Sequence, residues 1–178
     1  MVTILFELTA ETFDDENSLI GGWVNSHLSP VGMEQARQIG ERHSGKLQPD
    51  AIFHSDLKAA QQTGSVGFSL SPQVLYVDWR VRECNYGDLS SSAADELQPQ
   101  LAQYVTTPFP NGESYNQFLT RLYNCMAEIK ANWDGKVVLV IGGPDIKYGL
   151  DYLLKRVPME QSLAQPVEWQ AGWNYELA

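Results

Sequence analysis

In an α/β protein, ligands and chemistry sit outside the carboxyl ends of the strands. Two apolar runs here end in loops of that kind. Ile4-Leu5-Phe6 opens into Leu8-Thr9-Ala10-Glu11-Thr12, and Val137-Val138-Leu139-Val140-Ile141 opens into Gly142-Gly143-Pro144-Asp145. Neither loop carries a histidine, lysine or arginine. Thr9 offers a hydroxyl, but no neighbouring base is visible to turn it into a nucleophile. The groups that are plentiful are acids: Glu11, Asp14, Asp15 and Glu16 after the first run, and Glu83 beside Arg82 in mid-chain. A carboxyl of this kind can donate or accept a proton. Several together could hold a hard cation such as Ca²⁺ or Mg²⁺. Their spacing matches no EF-hand loop, solvated loop charges are the simpler reading, and no metal or other cofactor is assigned.

The basic groups lie elsewhere. His54 ends the run Ala51-Ile52-Phe53, where it reads first as a polar strand end and second as a relocated nucleophile. His27 precedes a helix start and reads as solvent-facing, and His43 suits a helix C-terminus, where a cation complements the dipole. Lys58 and Lys147 flank the two loops but read more simply as solvated helix residues. Gly142-Gly143-Pro144 ahead of a helix could offer N–H groups to an anion. Pro144 removes one donor, however, and Asp145 sets a negative charge at the mouth, where it reads as part of the helix N-terminus. Trp79, Trp133, Trp169 and Trp173 read as core or lid residues before cleft residues.

The elements that would position these groups alternate strand and helix, which predicts a three-layer α/β/α fold with a mostly parallel central sheet. Strands are expected over residues 2–8, 51–53, 73–77 and 137–141, with an edge strand at Trp173–Leu177. Helices are expected from a Ser29 cap through Arg42, over 56–66, over 113–132 on the spacing of Phe118, Leu122, Cys125, Met126 and Ile129, and from Asp145 through Leu154. No repeat or linker interrupts residues 1–178, so one domain is expected.

With 178 residues, 43% hydrophobic and 19% charged, the chain can bury a real core. Its formal net charge of −10 argues against nucleic acid and anionic membranes as partners, because phosphate surfaces demand basic ones. No apolar run is long enough to span a bilayer and no leader pattern is visible. An acidic cytoplasmic protein is expected, with Cys84 and Cys125 as idle thiols.

Five segments taken in order resemble one family. Gly21-Gly22-Trp23 with Leu28-Ser29, Gly32 and Gln35-Ala36; Ser55-Asp56-Leu57 with Ala60 and Gln62-Thr63; Arg80, Arg82-Glu83 and Tyr86-Gly87; Pro110, Gly112-Glu113-Ser114 and Arg121; and the final strand with its turn are similar to the histidine phosphatase superfamily, the phosphoglycerate mutase-like proteins. The resemblance implies that fold and phosphoryl transfer through a phosphohistidine, with arginines and a second histidine neutralising the phosphate and a carboxylic acid protonating the leaving group.

Carried over position by position, it puts Leu8 where the family has an arginine and Thr9 where it has the nucleophilic histidine. It puts Ala59 in place of a second arginine and Gly143 in place of the second histidine. Glu83 holds the acid position beside Arg82, and Asn17 corresponds to a phosphate-contacting asparagine. The expectation is therefore a non-catalytic member, a pseudoenzyme that binds an unknown protein partner or small-molecule ligand. Two alternatives stand beside it: a phosphomonoesterase with a rearranged site drawing on His54, Arg82 and Glu83, and a metal-dependent binding module.

Overall fold

Among the described residues, five runs rich in β-branched, aliphatic or aromatic residues pair into one sheet: β1 (Val2–Leu8), β2 (Ala51–His54), β3 (Leu75–Val77), β4 (Val137–Gly142) and β5 (Trp173–Leu177). The computed structural model describes residues 1–44 and 48–178. The strand order is β3-β2-β4-β1-β5. The first four strands run parallel and β5 lies antiparallel along β1.

Among the described residues the chain forms seven helices: α1 (Phe13–Glu16), α2 (Pro30–Arg42), α3 (Lys58–Gly67), α4 (Ala94–Leu97), α5 (Tyr115–Asn132), α6 (Pro144–Lys155) and α7 (Met159–Leu163). Strand alternation divides the core. Ile4, Phe6, Phe53, Val138 and Val140 pack with Phe118, Leu122 and Met126 of α5 and Ile146 and Leu150 of α6. Leu5, Ile52, Leu139 and Ile141 point the other way, onto Ile39 of α2 and onto Phe68 after α3. The result is the expected α/β/α sandwich.

Local chemistry sets the helix starts. Ser29 accepts a hydrogen bond from the Gly32 N–H at 3.0 Å with Pro30 in the first turn, and Ser114 forms a reciprocal cap with Gln117. Several boundaries differ from expectation by one or two residues. The third helix begins at Lys58, because the Ser55 hydroxyl turns the chain by accepting the Leu57 N–H at 3.3 Å. The third strand starts only at Leu75. Between β3 and α5 the chain forms 3-10 turns at Trp79–Val81, Gly87–Leu89 and Gln98–Tyr104, which no sequence period announced. No helix among the described residues is long and apolar enough to cross a membrane.

Candidate ligand site

The loop leaving β1 is fixed by its backbone. The Thr9 N–H donates to the Gly142 carbonyl at 2.8 Å, which ties the two strand exits together. The Ala10 N–H donates to Thr63 Oγ1 at 3.1 Å, and the Glu11 N–H donates to Gln35 Oε1 at 2.8 Å. Gln62 Oε1 accepts the Leu28 N–H at 3.0 Å, and Ser29 Oγ donates to Glu11 Oε1 at 2.6 Å. Helix α2 approaches this loop closely because Gly32 has no Cβ, which would lie 1.9 Å from the Glu11 carbonyl oxygen. The side chains Gln35, Gln62 and Thr63 thus act as clamps on a loop that carries little reactive chemistry of its own.

The two exits open on a cavity of about 380 Å³. Of the positions singled out from the sequence, Leu8, Thr9, Ala59, Glu83 and Gly143 line it together. Four more acids join them, Glu11, Asp14, Asp15 and Asp145, which with Glu83 makes five. Among the described residues, no lysine, arginine or histidine contributes to the lining. Apolar walls come from Leu19, Ile20, Val81, Leu101, Val167 and Trp169.

Glu83 is held by its main chain. Its carbonyl accepts hydrogen bonds from Trp23 Nε1 at 2.8 Å and from the Arg121 guanidinium at 2.6 Å. Arg121, buried in α5, also donates to the carbonyls of Arg80 and Arg82 at 2.7 and 2.8 Å and is forked onto Glu113. The Glu83 carboxyl itself accepts no hydrogen bond from a described residue and lies against Gly143. A Cβ on Gly143 would meet it at 2.1 Å. Burial, with the facing charges of Asp145 and Asp15, raises its pKa well above the ordinary carboxylate range.

Asp145, almost completely buried in the first turn of α6, is the acid that sequence reasoning passed over as a plain helix-terminal residue. It accepts from Tyr86 Oη at 2.6 Å, the Cys84 N–H at 3.0 Å and Tyr115 Oη at 3.3 Å. Burial lifts its pKa to about 6, and those donors act in the opposite direction. Glu83 has no such donor among the described residues to offset the rise. A usable signal existed: Tyr86 and Tyr115 needed a buried acceptor, and Asp145 was the acid nearest the strand end.

Three sequence-derived positions are not brought to the cavity. Arg82 turns away to pair with Asp56, its Nε donating at 2.6 Å, and stacks on Trp23 at 4.5 Å. His54 is buried, with its Nδ1 at 2.7 Å from the Ser55 carbonyl and its ring against Gly64 of α3, so it does not converge with Glu83. Asn17 follows α1 and bonds the Phe13 carbonyl at 2.6 Å on the surface.

None of the other basic candidates lines the cavity. His43 Nε2 lies 2.8 Å from Glu7, and Lys147 pairs with Asp151 at 2.6 Å. His27 is exposed. Among the described residues no group of three or more His, Cys, Asp or Glu side chains is arranged to hold a metal ion. The reason is visible in part, because Asp15 is bonded to Thr12 at 2.8 Å and Glu11 to Ser29.

Comparison with known proteins places this arrangement in a family. The Histidine phosphatase superfamily (branch 1) matches residues 10–168. Phosphoglycerate mutase 1 of Saccharomyces cerevisiae is 33% identical over 93 residues, which is 50% of this chain and 38% of that protein. The metal-independent phosphoserine phosphatase of Arabidopsis thaliana is 28% identical over 133 residues, 68% of this chain and 56% of its own length. The chain thus spans less than two thirds of either protein. Among solved structures, Bacillus stearothermophilus YhfR matches with a TM-score of 0.82 at 21% identity, over 95% of this chain and 87% of that one. With a family match that runs from the loop after β1 to the residues before β5 on this sheet order, the chain belongs to the histidine phosphatase superfamily, branch 1.

Proposed function

We propose that this chain is a non-catalytic member of the superfamily that uses the cavity at the ends of β1 and β4 to bind a ligand other than a phosphate monoester. The observation that carries this reading is the lining itself. It presents five carboxylates and no basic side chain among the described residues. Phosphoryl transfer through a phosphohistidine needs a nucleophile with a lone pair and preorganised cationic donors for the phosphate oxygens. Removal of one such donor commonly raises a barrier by about 3–4 kcal/mol. Here Arg82 is paired with Asp56 and His54 faces α3, so neither supplies the missing role. The buried free thiols Cys84 and Cys125 fit a reducing compartment, and we assign the protein to the cytoplasm.

The test is an assay of p-nitrophenyl phosphate hydrolysis together with a search for acid-labile phosphoenzyme. No turnover and no phosphohistidine are expected. A rate that persists through rigorous purification and disappears in Glu83→Gln would overturn the reading.

A second reading, a phosphomonoesterase with a rearranged site, is favoured by the names of the relatives, a phosphatase and a mutase. It also draws on Glu83, whose raised pKa suits a group that hands on a proton. Its difficulty is that a phosphate dianion in this cavity would meet carboxylates on several sides.

A further inference from the structure

Two acceptor groups at the cavity have no partner. Asp14 lines it, and its Oδ2 is shut off from solvent without accepting a hydrogen bond from any described residue. The Glu83 carboxyl, on a half-buried side chain against Gly143, also accepts none from a described residue, with its oxygens open to the cavity. An unpaired buried acceptor is costly, so such groups in a native fold ask for a donor. The other three acids are already supplied: Glu11 by Ser29, Asp15 by Thr12, and Asp145 by Tyr86, Tyr115 and the Cys84 N–H. The unmet demand is therefore specific to Asp14 and Glu83.

The space between the walls says what kind of donor fits. A cavity of about 380 Å³ with Leu19, Ile20, Leu101, Val167 and Trp169 in its lining has room for an apolar body as well as a polar head. Among the described residues, no cationic side chain in the lining competes for the acids. We propose that the cavity binds a small organic cation, an ammonium or guanidinium on an apolar stem, with its N–H donors directed to Glu83 and Asp14 and its stem against the apolar wall. The inference rests on the reading above that this cavity does not process phosphate monoesters. A cationic head adds charge-assisted hydrogen bonds to both acids and relieves the repulsion among them. A phosphate would increase that repulsion.

Isothermal titration of the full chain with phenethylammonium, 2-phenylethanol and phenyl phosphate tests this. The three probes share a ring and differ in the charge of the head. Phenethylammonium is expected to bind with a Kd below about 1 mM and at least about tenfold more tightly than the alcohol or the phosphate. Glu83→Gln and Asp14→Asn are each expected to weaken it by about tenfold, with the circular dichroism spectrum unchanged. If Glu83→Gln does not fold, Asp14→Asn, on a one-turn surface helix, decides alone. Phenyl phosphate binding as tightly as the ammonium, equal binding of the alcohol, no heat from phenethylammonium, or unchanged affinity in the folded variants each overturns the inference. Absence of ammonium binding in a protein that also fails to hydrolyse p-nitrophenyl phosphate sinks this inference alone. Hydrolysis sinks the reading beneath it.

Discussion

Glu83 lies across Gly143: a Cβ built on Gly143 would sit 2.1 Å from Glu83 Oε1 and 2.2 Å from its Cδ. A side chain at 143 and Glu83 in this position exclude one another. Gly143 has φ −77° and ψ −177°, extended backbone open to any residue, so the restriction comes from the carboxyl and not from the main chain. Gly143→Ala is expected to cost about 1–3 kcal/mol as an overpacked site. Urea denaturation should show a lower midpoint at an unchanged slope. In a Glu83→Ala background the same substitution should be nearly free, which gives a coupling energy of about 1 kcal/mol or more. An equal cost in both backgrounds would show that the two groups do not touch.

The Glu83–Asp145 pair predicts a stability that falls as pH rises. Both groups titrate above their unfolded values, Asp145 at about 6 and Glu83 also well above the ordinary carboxylate range, because burial disfavours their charged forms. The folded state therefore holds the extra protons. The pair's contribution is fully present below the unfolded carboxyl pKa and is lost as pH rises through the folded values. Glu83→Gln imitates the protonated form. Its thermal midpoint should exceed that of the parent by a few degrees at about pH 8, where 1 kcal/mol is worth roughly 2–4 °C at this length. The difference should vanish near about pH 4. A variant that melts lower than the parent at the higher pH would mean that Glu83 is stabilised as a carboxylate.

Much of the frame was legible because hydrophobic period and caps are local signals. Val137 to Ile141 reads as a buried strand from its own residues, and Ser29-Pro30 as a helix start from two. The absence of a basic side chain at Leu8, Thr9, Ala59 and Gly143 is likewise readable from their identities alone, whichever way they point. Direction was not legible. Arg82 and Glu83 are neighbours in sequence, yet one reaches Asp56 and Trp23 while the other enters the cavity. Asp145 became a site residue only when the fold brought Cys84, Tyr86 and Tyr115 to it over 30 to 61 positions of chain. Long-range partners of that kind leave no period in a sequence.

Arg121 is the residue whose loss should most disturb the site without touching the cavity. It is 6% exposed and joins Glu113 to the carbonyls of Arg80, Arg82 and Glu83. Arg121→Met removes the pair, leaving Glu113 with the Asn85 N–H, the Glu83 carbonyl with Trp23 Nε1, and the Arg80 and Arg82 carbonyls without this donor, an expected loss of about 3–5 kcal/mol. Arg121→Lys keeps the charge but not the planar fork, so it should recover only a minority of that loss. Thermal unfolding checks the magnitude. The pH effect of Glu83→Gln, measured again in Arg121→Lys, should shrink as the 80–83 segment loosens.

Glu7 predicts the opposite pH limb. It is buried on the α2 face of β1, where Arg42 Nε and Nη2 donate at 3.1 and 2.8 Å and His43 Nε2 lies at 2.8 Å. Burial alone would raise its pKa, but the hydrogen bonds from His43 and Arg42 and their charges outweigh it, so the folded value lies below the ordinary one. Its contribution is therefore present above the unfolded glutamate pKa and disappears as pH falls through the lower folded value. Glu7→Gln keeps the shape and one acceptor while removing the charge, and should cost about 1–3 kcal/mol at neutral pH, the range for a hydrogen bond to a charged group. The gap between variant and parent should close on acidification, whereas the gap produced by Glu83→Gln closes from the other sign. Midpoints measured on both variants between about pH 3 and pH 8 separate the two effects. If Glu7→Gln stays equally destabilised at the acid end, its cost is one of packing and the Arg42–Glu7–His43 cluster is not the source of acid sensitivity.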